Sequence, residues 1–562
     1  TETGLTPGIT LIEASAGTGK TYAIAMLALR FVVEKNMKVD ELLIVTFTNA
    51  ATEELRERVR LRLAEAKQAL EGKTAGIDSN ILDWADNLSI EKPEAEKRLE
   101  TALMDIDQAS IFTIHGFCQR VLKEHALESG QLFDSELSSD ISAVKQACVD
   151  DFWRQQVYGR PIREAALLKS LFDTPDHLSS SIAGVAPKSR IVPSPEDLDA
   201  VFEAFNQAAS TVKLQLKNQS EIVQKAMEDQ TFKPGYSSVF DSLLSELSEW
   251  LNGKSPIPPS SEALNFLTRE GIKEGLNGHK FRKTKIQSGD ERKEEYLSSL
   301  DLKTNPFETL QERYRRVSVL FRSALAEFVD QALEKNLKQL NILSYDDLIT
   351  RLSDVLNQDG GKLLINELRK SFKAALIDEF QDTDQSQWHI FSTLFAAETH
   401  YLFLIGDPKQ AVYKFRGADI YSYFEAQKEA SQRYTLEKNW RSHPSLVEAV
   451  NILFQNHEDP FLFEMLKYNE VSPGLSEQQG TLNEKGNPLA PMVLWHLEQA
   501  DSKTGFWSGG KAGLEIQVAV TNEILHLLIE THAISINESG TQPLEPQDIA
   551  ILVRTNSQAR EY

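Results

Sequence analysis

The chain has 562 residues, 41% hydrophobic and 25% charged, with 60 basic against 83 acidic side chains and a formal charge of -23. This composition excludes global disorder and a surface that coats nucleic acid everywhere, while leaving room for a local basic groove. Two cysteines, Cys118 and Cys148, exclude a disulfide framework or a four-thiolate metal site and fit a reducing cytosol. Residues 1–8 carry no leader pattern, and the longest apolar stretch, after Tyr22, is broken by Arg30, so neither a secretion signal nor a membrane span is expected.

In chain order, the first element is "GITLIEASAGTGKTYAIAMLALRFVV", residues 8–33. Gly8–Glu13 reads as a short buried strand and Lys20–Val33 as a helix, so Ala14, Ser15, Ala16, Gly17, Thr18, Gly19, Lys20 and Thr21 form a strand-loop-helix junction. Gly17 and Gly19 let successive N–H groups face one anion, with Lys20 reaching phosphates and the Thr21 hydroxyl suited to Mg²⁺. Ala14 stands where the usual phosphate-loop pattern has its first Gly. A structural turn is the other reading of the triplet taken alone.

The next two junctions repeat the scheme. "ELLIVTFTNAATEELRERVRLRL" (41–63) is a strand ending at Phe47, then Thr48 and Asn49 as cap candidates, then an amphipathic helix. "ASIFTIHGFCQRVL" (109–122) is a strand ending near Thr113, then His115 and Gly116, then a helix. Residues 141–337 follow as an insertion of charged amphipathic helical patterns with a Pro/Ser linker at 253–261. Within it, "HKFRKTK" (279–285) and "ERYRRV" (312–317) interleave basic and aromatic residues. They suit either duplex DNA or a solvated helix face.

The chain then returns to strand-loop-helix signals. "KAALIDEFQDTDQSQ" (373–387) has a buried parallel-strand run at Ala374–Ile377, with Asp378 and Glu379 at its C-terminal end. Asp378 suits a Mg²⁺ ligand and Glu379 a base for water. "YLFLIGDPKQAVYKFRGAD" (401–419) gives a strand, a turn at Gly406-Asp407-Pro408, and Gln410 placed for a γ-phosphate or its attacking water. Tyr413, Phe415 and Arg416 read either as core packing or as a platform for unstacked bases. "YTLEKNWRSHPSLVEAV" (434–450) closes the series, and further strands are expected at Met492–His496 and Ile549–Val553.

The ordered stretches "ASAGTGKT", "TFTNAATEEL", "FTIHGF", "DEFQDTD", "GDPKQAVYKFRGAD" and "LEKNWRS" resemble motifs I, Ia, Ib, II, III and IV of superfamily 1 DNA helicases of the UvrD/Rep type. The variants "LIEASAGTGKT", "LSYDDLITRL" and "IGDPKQAVYKFRGADIYSY" point to the RecB-like branch. The resemblance implies an α/β fold: a RecA-like parallel-sheet P-loop motor domain with a large helical insertion and the start of a second RecA-like domain. Its expected limits are 1–140 plus 338–445 for the first motor domain, 141–337 for the insertion and 446–562 for an incomplete second motor domain.

The resemblance further implies ATP and Mg²⁺ as cofactors. Arg441 would contact the γ-phosphate, and Trp440 stands where the family usually has a Tyr against the adenine. Phe47, Thr48, His115, Tyr413, Phe415 and Arg416 would line a single-stranded DNA channel. Thr1–Thr10 contains no Gln of the kind the family uses to read the adenine edge. The implied partners are single-stranded and forked DNA and RecC-like and RecD-like subunits, in the cytoplasm and without a membrane. Motifs V and VI and a nuclease constellation do not appear, so the chain reads as the N-terminal part of a longer protein. The implied function is a 3′–5′ DNA translocase, and the alternative is a nucleotide-gated DNA-binding module without turnover.

Overall fold

The computed structural model describes residues 3–126, 136–138, 140–185, 189–282, 287–340, 342–358, 360–411, 419–476, 481–484, 487–498, 507–530, 534–537 and 540–562. The chain divides into two compact units, Thr1–Phe133 with Asp346–Tyr562, and Asp134–Tyr345.

The first unit is built on six strands: β1 (Gly8–Ala14), β2 (Leu42–Thr46), β3 (Ile111–Thr113), β4 (Ala374–Ile377), β5 (Tyr401–Gly406) and β6 (Gln432–Leu436). They form one sheet in the order β3-β2-β4-β5-β1-β6, and every neighbouring pair is parallel. The sequence explains this. All four residues of β4 and all five of β2 are buried, the signature of a sheet covered on both faces. Each such Leu or Ile contributes about 1.5–3 kcal/mol of burial. Because all strands run one way, every loop at their C-terminal ends emerges on one rim.

Helices cover the sheet. α1 (Lys20–Glu34) buries Phe31, whose ring meets Tyr401 and Phe403 edge-on at 5.2 and 5.5 Å. α2 (Asn49–Leu70) is capped by Thr48, not Asn49: the Thr48 hydroxyl accepts from the Ala51 N–H at 3.1 Å. α3 (Ile114–Glu124) is capped by Thr113, which accepts from the Gly116 N–H at 3.2 Å.

The second unit is helical. Its longest helices are Leu198–Glu228 and Asn305–Leu340. The first buries Leu198, Val201, Phe202, Phe205, Ala208, Ala209 and Val212, a spacing of three and four that gives one apolar stripe. Aromatic pairs such as Phe152–Phe321, 5.1 Å apart, fill the core. Strands Glu136–Ser138 and Ile342–Ser344 pair in parallel, so the unit's two chain ends lie side by side. In its basic-aromatic segments, Phe281 is buried and Tyr314 packs near Phe205, while Arg316 is paired with Glu196 at 2.5 Å. These aromatic rings therefore pack in the fold; residues 283–285 lie outside the described residues.

The expected strands at Met492–His496 and Ile549–Val553 do not form. Both runs are apolar enough locally, but neither finds a ladder partner, and Leu494 and Leu552 are 79% and 95% exposed. A four-stranded antiparallel sheet is made instead by Asn487–Pro488, Thr481–Glu484, Ile534–Asn537 and Gly540–Pro543. Among the described residues, one helical stretch, Gly509–Ile529, has the length and mean hydropathy (1.2) of a membrane span. Lys511, Glu515 and Glu523 interrupt its apolar surface.

Candidate nucleotide site

The loop after β1 owes its shape to its two glycines. Gly17 and Gly19 have φ of 76° and 89°, the left-handed region that L side chains rarely adopt. A Cβ on Gly17 would stand 2.8 Å from the Arg441 Cβ. Within the loop, the Ser15 carbonyl accepts from the Thr18 N–H at 3.2 Å and its hydroxyl at 2.8 Å. Ala14, the last residue of β1, and Thr18 are buried. α1 then starts at Lys20 with no side-chain cap and no acidic residue in its first turn. Its first N–H groups thus remain available for an anion.

Across the rim, the Lys20 Nζ is 2.7 Å from Glu379 Oε2. Glu379 follows β4 and Asp378 in a left-handed backbone conformation, φ 50° and ψ 43°, a strained state of the kind that concentrates at functional sites. The Glu379 N–H donates to Asp378 Oδ1 at 2.9 Å. Burial, reinforced by the neighbouring Glu379 charge, pushes the Asp378 carboxyl up from 3.8 to about 7, against the pull of Lys20. A cation beside Asp378 would reverse that pressure. Thr21 lies in the first turn of α1, half-buried. One hydroxyl and one carboxylate, completed by phosphate oxygens and water, is the sparse oxygen set Mg²⁺ takes.

The turn after β5 is tied into the same cluster. Asp407 caps a short turn, Pro408–Gln410; its Oδ2 accepts from the Gln410 side-chain amide at 2.7 Å, and its Oδ1 lies 2.8 Å from the Lys409 Nζ. Lys409 also reaches Glu13 at 2.5 Å. Burial opposes the Lys409 charge, but Asp407 and Glu13 outweigh it and raise its pKa.

After β6, the Asn439 side chain holds the loop in place. Its amide donates to the Ala16 carbonyl at 3.0 Å, and its Oδ1 accepts from the Arg441 and Ser442 N–H groups at 2.9 and 2.8 Å. The Trp440 N–H donates to the Gly17 carbonyl at 2.7 Å, while the indole is 56% exposed and stands against Gly474. Arg441 is exposed.

The Asp407 N–H donates to the side-chain oxygen of Gln381, two residues after Glu379, at 2.9 Å, so direct hydrogen bonds join the loops after β4, β5, β1 and β6. Sequence reasoning missed Glu13, Gln381, Asp407, Lys409 and Asn439 as members of this cluster. The available signal was polar residues within three positions of Glu379, Gln410 and Trp440 and, for Glu13, a carboxylate directly before the Ala14 loop. Of the expected DNA-channel residues, three fall at the ends of two other strands. Phe47 and Thr48 follow β2 and His115 lies in the first turn of α3, at the exits of two strands paired through Thr46 and Thr113. Phe47 and His115 are half-buried and Thr48 is exposed. Tyr413, Phe415 and Arg416 lie outside the described residues.

The family model of the UvrD/REP helicase N-terminal domain matches residues 3–431. The chain belongs to the UvrD/Rep helicase family. Its relatives include the RecBCD enzyme subunit RecB of Escherichia coli (strain K12), 32% identical over 577 residues, covering 99% of this chain and 47% of that protein. The same subunit of Haemophilus influenzae is 30% identical, covering 98% and 48%, and that of Buchnera aphidicola subsp. Acyrthosiphon pisum is 29% identical, covering 98% and 46%. The chain spans about half the length of the curated relatives it matches. For a UvrD/Rep helicase, the six-stranded parallel sheet is the RecA-like α/β scaffold, here carrying a large helical insertion.

Proposed function

We propose that this chain is the N-terminal motor part of a RecB-like subunit, an ATP-dependent DNA translocase acting on single strands in double-strand break repair. The observation that supports it most is the Lys20–Glu379 pair, which sets the phosphate-loop cation against the carboxylate suited to activating water. Lys20 would exchange Glu379 for phosphate oxygens, leaving the carboxylate free to take a proton from water. Gln410 and Arg441 would touch the γ-phosphate, Trp440 would stack on the base, and Ala14–Thr21 would wrap the phosphates. Bound Mg²⁺, held by Thr21 and Asp378, would neutralise charge on the phosphates.

Phe47, Thr48, His115, Tyr413, Phe415 and Arg416 would meet the single strand through stacking and phosphate contacts. Residues 446–562 would begin the second motor domain, with 141–337 as the insertion. RecC-like and RecD-like partners, forked DNA and a cytoplasmic location follow from the same reading.

The test is phosphate release with and without oligonucleotide. Single-stranded DNA should raise the rate, and Lys20→Ala should lower it about 10²-fold or more, since the ammonium is the loop's only side-chain cation. ATP binding with no DNA-stimulated release would favour a nucleotide-gated module without turnover instead.

A further inference from the structure

Gln381 is a polar side chain with only 2% of its surface exposed, yet both ends of its amide are used. The Nε2 donates to Glu379 Oε2 at 2.7 Å and to Asp382 Oδ2 at 3.2 Å. The Oε1 accepts from the Asp407 N–H at 2.9 Å. Asp407 in turn grips the Gln410 amide through Oδ2 and the Lys409 ammonium through Oδ1. A single buried amide thus spans from the carboxylate after β4 to the turn after β5. The sequence also keeps the neighbouring strand end bare: a Cβ on Gly406 would lie 2.5 Å from Gln381 Oε1 and 3.1 Å from the backbone nitrogens of Phe380 and Gln381.

We propose that Gln381 is a positioning residue for hydrolysis, fixing the Glu379 carboxylate relative to the turn that carries Gln410. This rests on the nucleotide-site reading above. The physical reason is that an amide donates at one end and accepts at the other in a fixed plane, so a shift of the Asp407–Gln410 turn moves the Glu379 oxygen with it. A hydroxyl or an aliphatic chain in this place has no such two-ended grip. Gln381 touches neither phosphate nor water in this scheme, so its loss should slow the chemistry without loosening nucleotide binding.

The experiment uses the full chain carrying Gln381→Met, and separately Gly406→Ala, which crowds the same amide while leaving Gln381 in place. Steady-state ATP hydrolysis is measured at saturating single-stranded DNA, and hydrogen exchange is followed at the Asp407 amide. Both variants are expected to lower kcat tenfold or more with KM for ATP within about twofold, and to speed exchange at Asp407. Unchanged kcat in both folded variants, or KM rising in step with the loss, overturns the proposal. If the wild-type chain binds ATP without hydrolysing it, the turnover reading alone falls. The exchange then decides the link: faster exchange at Asp407 in Gln381→Met supports it, and wild-type exchange there overturns it.

Discussion

Glu379→Gln is expected to cut DNA-stimulated ATP hydrolysis by about 10²–10⁴-fold, the range a positioned general base supplies, while ATP affinity stays equal or tightens. The substitution keeps side-chain length and the acceptor that Gln381 uses. It removes the negative charge that now holds Lys20 at 2.7 Å. Phosphate and carboxylate compete for that ammonium, so taking away the competitor should not weaken nucleotide. Titration with a fluorescent ATP analogue beside a phosphate-release assay checks both halves. Hydrolysis within tenfold of wild type would remove Glu379 from the reaction.

Asp378→Asn should make the protein more stable while abolishing turnover. The carboxyl is raised from 3.8 to about 7, so burial disfavours its charged form. Below about pH 3 it is protonated folded or unfolded, and its contribution is fully present. As pH rises toward 7 the unfolded chain ionises while the folded chain keeps its proton, and stability is lost until the folded group also ionises. Asn keeps an oxygen to accept the Glu379 N–H and never ionises. Its gain should be near zero below about pH 3, grow as pH rises past the unfolded carboxyl, and level off above about pH 7. Thermal unfolding at pH 5 and pH 8 is the measurement. An Asn variant less stable than wild type at pH 8 would contradict the burial argument. The expected pattern is the usual exchange of stability for function at a site that must hold a cation.

The scaffold was readable because the four inner strands β2, β4, β5 and β1 are apolar runs closed by loops of distinctive polar residues, whereas the edge strand β6, QRYTL, is not. Ala374–Ile377 matched its strand end for end, and Gly8–Glu13 and Tyr401–Ile405 each fell one residue short of theirs. The places of Lys20, Glu379, Gln410 and Trp440 in loops after β1, β4, β5 and β6 were legible because each loop follows a strand signal. Gln381 was not, since a buried glutamine bridging two loops looks in sequence like any polar residue after a strand. The runs at Met492–His496 and Ile549–Val553 misled for the opposite reason: strand propensity is local, but a strand exists only where a neighbour supplies its hydrogen bonds. In the insertion, helical periodicity was plain, whereas the inward turn of Phe281 and the packing of Tyr314 near Phe205 depend on neighbours far along the chain.

In the proposed reading, loops from four strands form one nucleotide crevice. Hydrogen exchange with and without a non-hydrolysable ATP analogue and Mg²⁺ tests it most directly. Protection is predicted together at residues 15–21, 378–381, 407–410 and 439–441, with 47–48 and 115 unchanged until DNA is added. Protection confined to the 15–21 loop, or absent from all four segments, would contradict it.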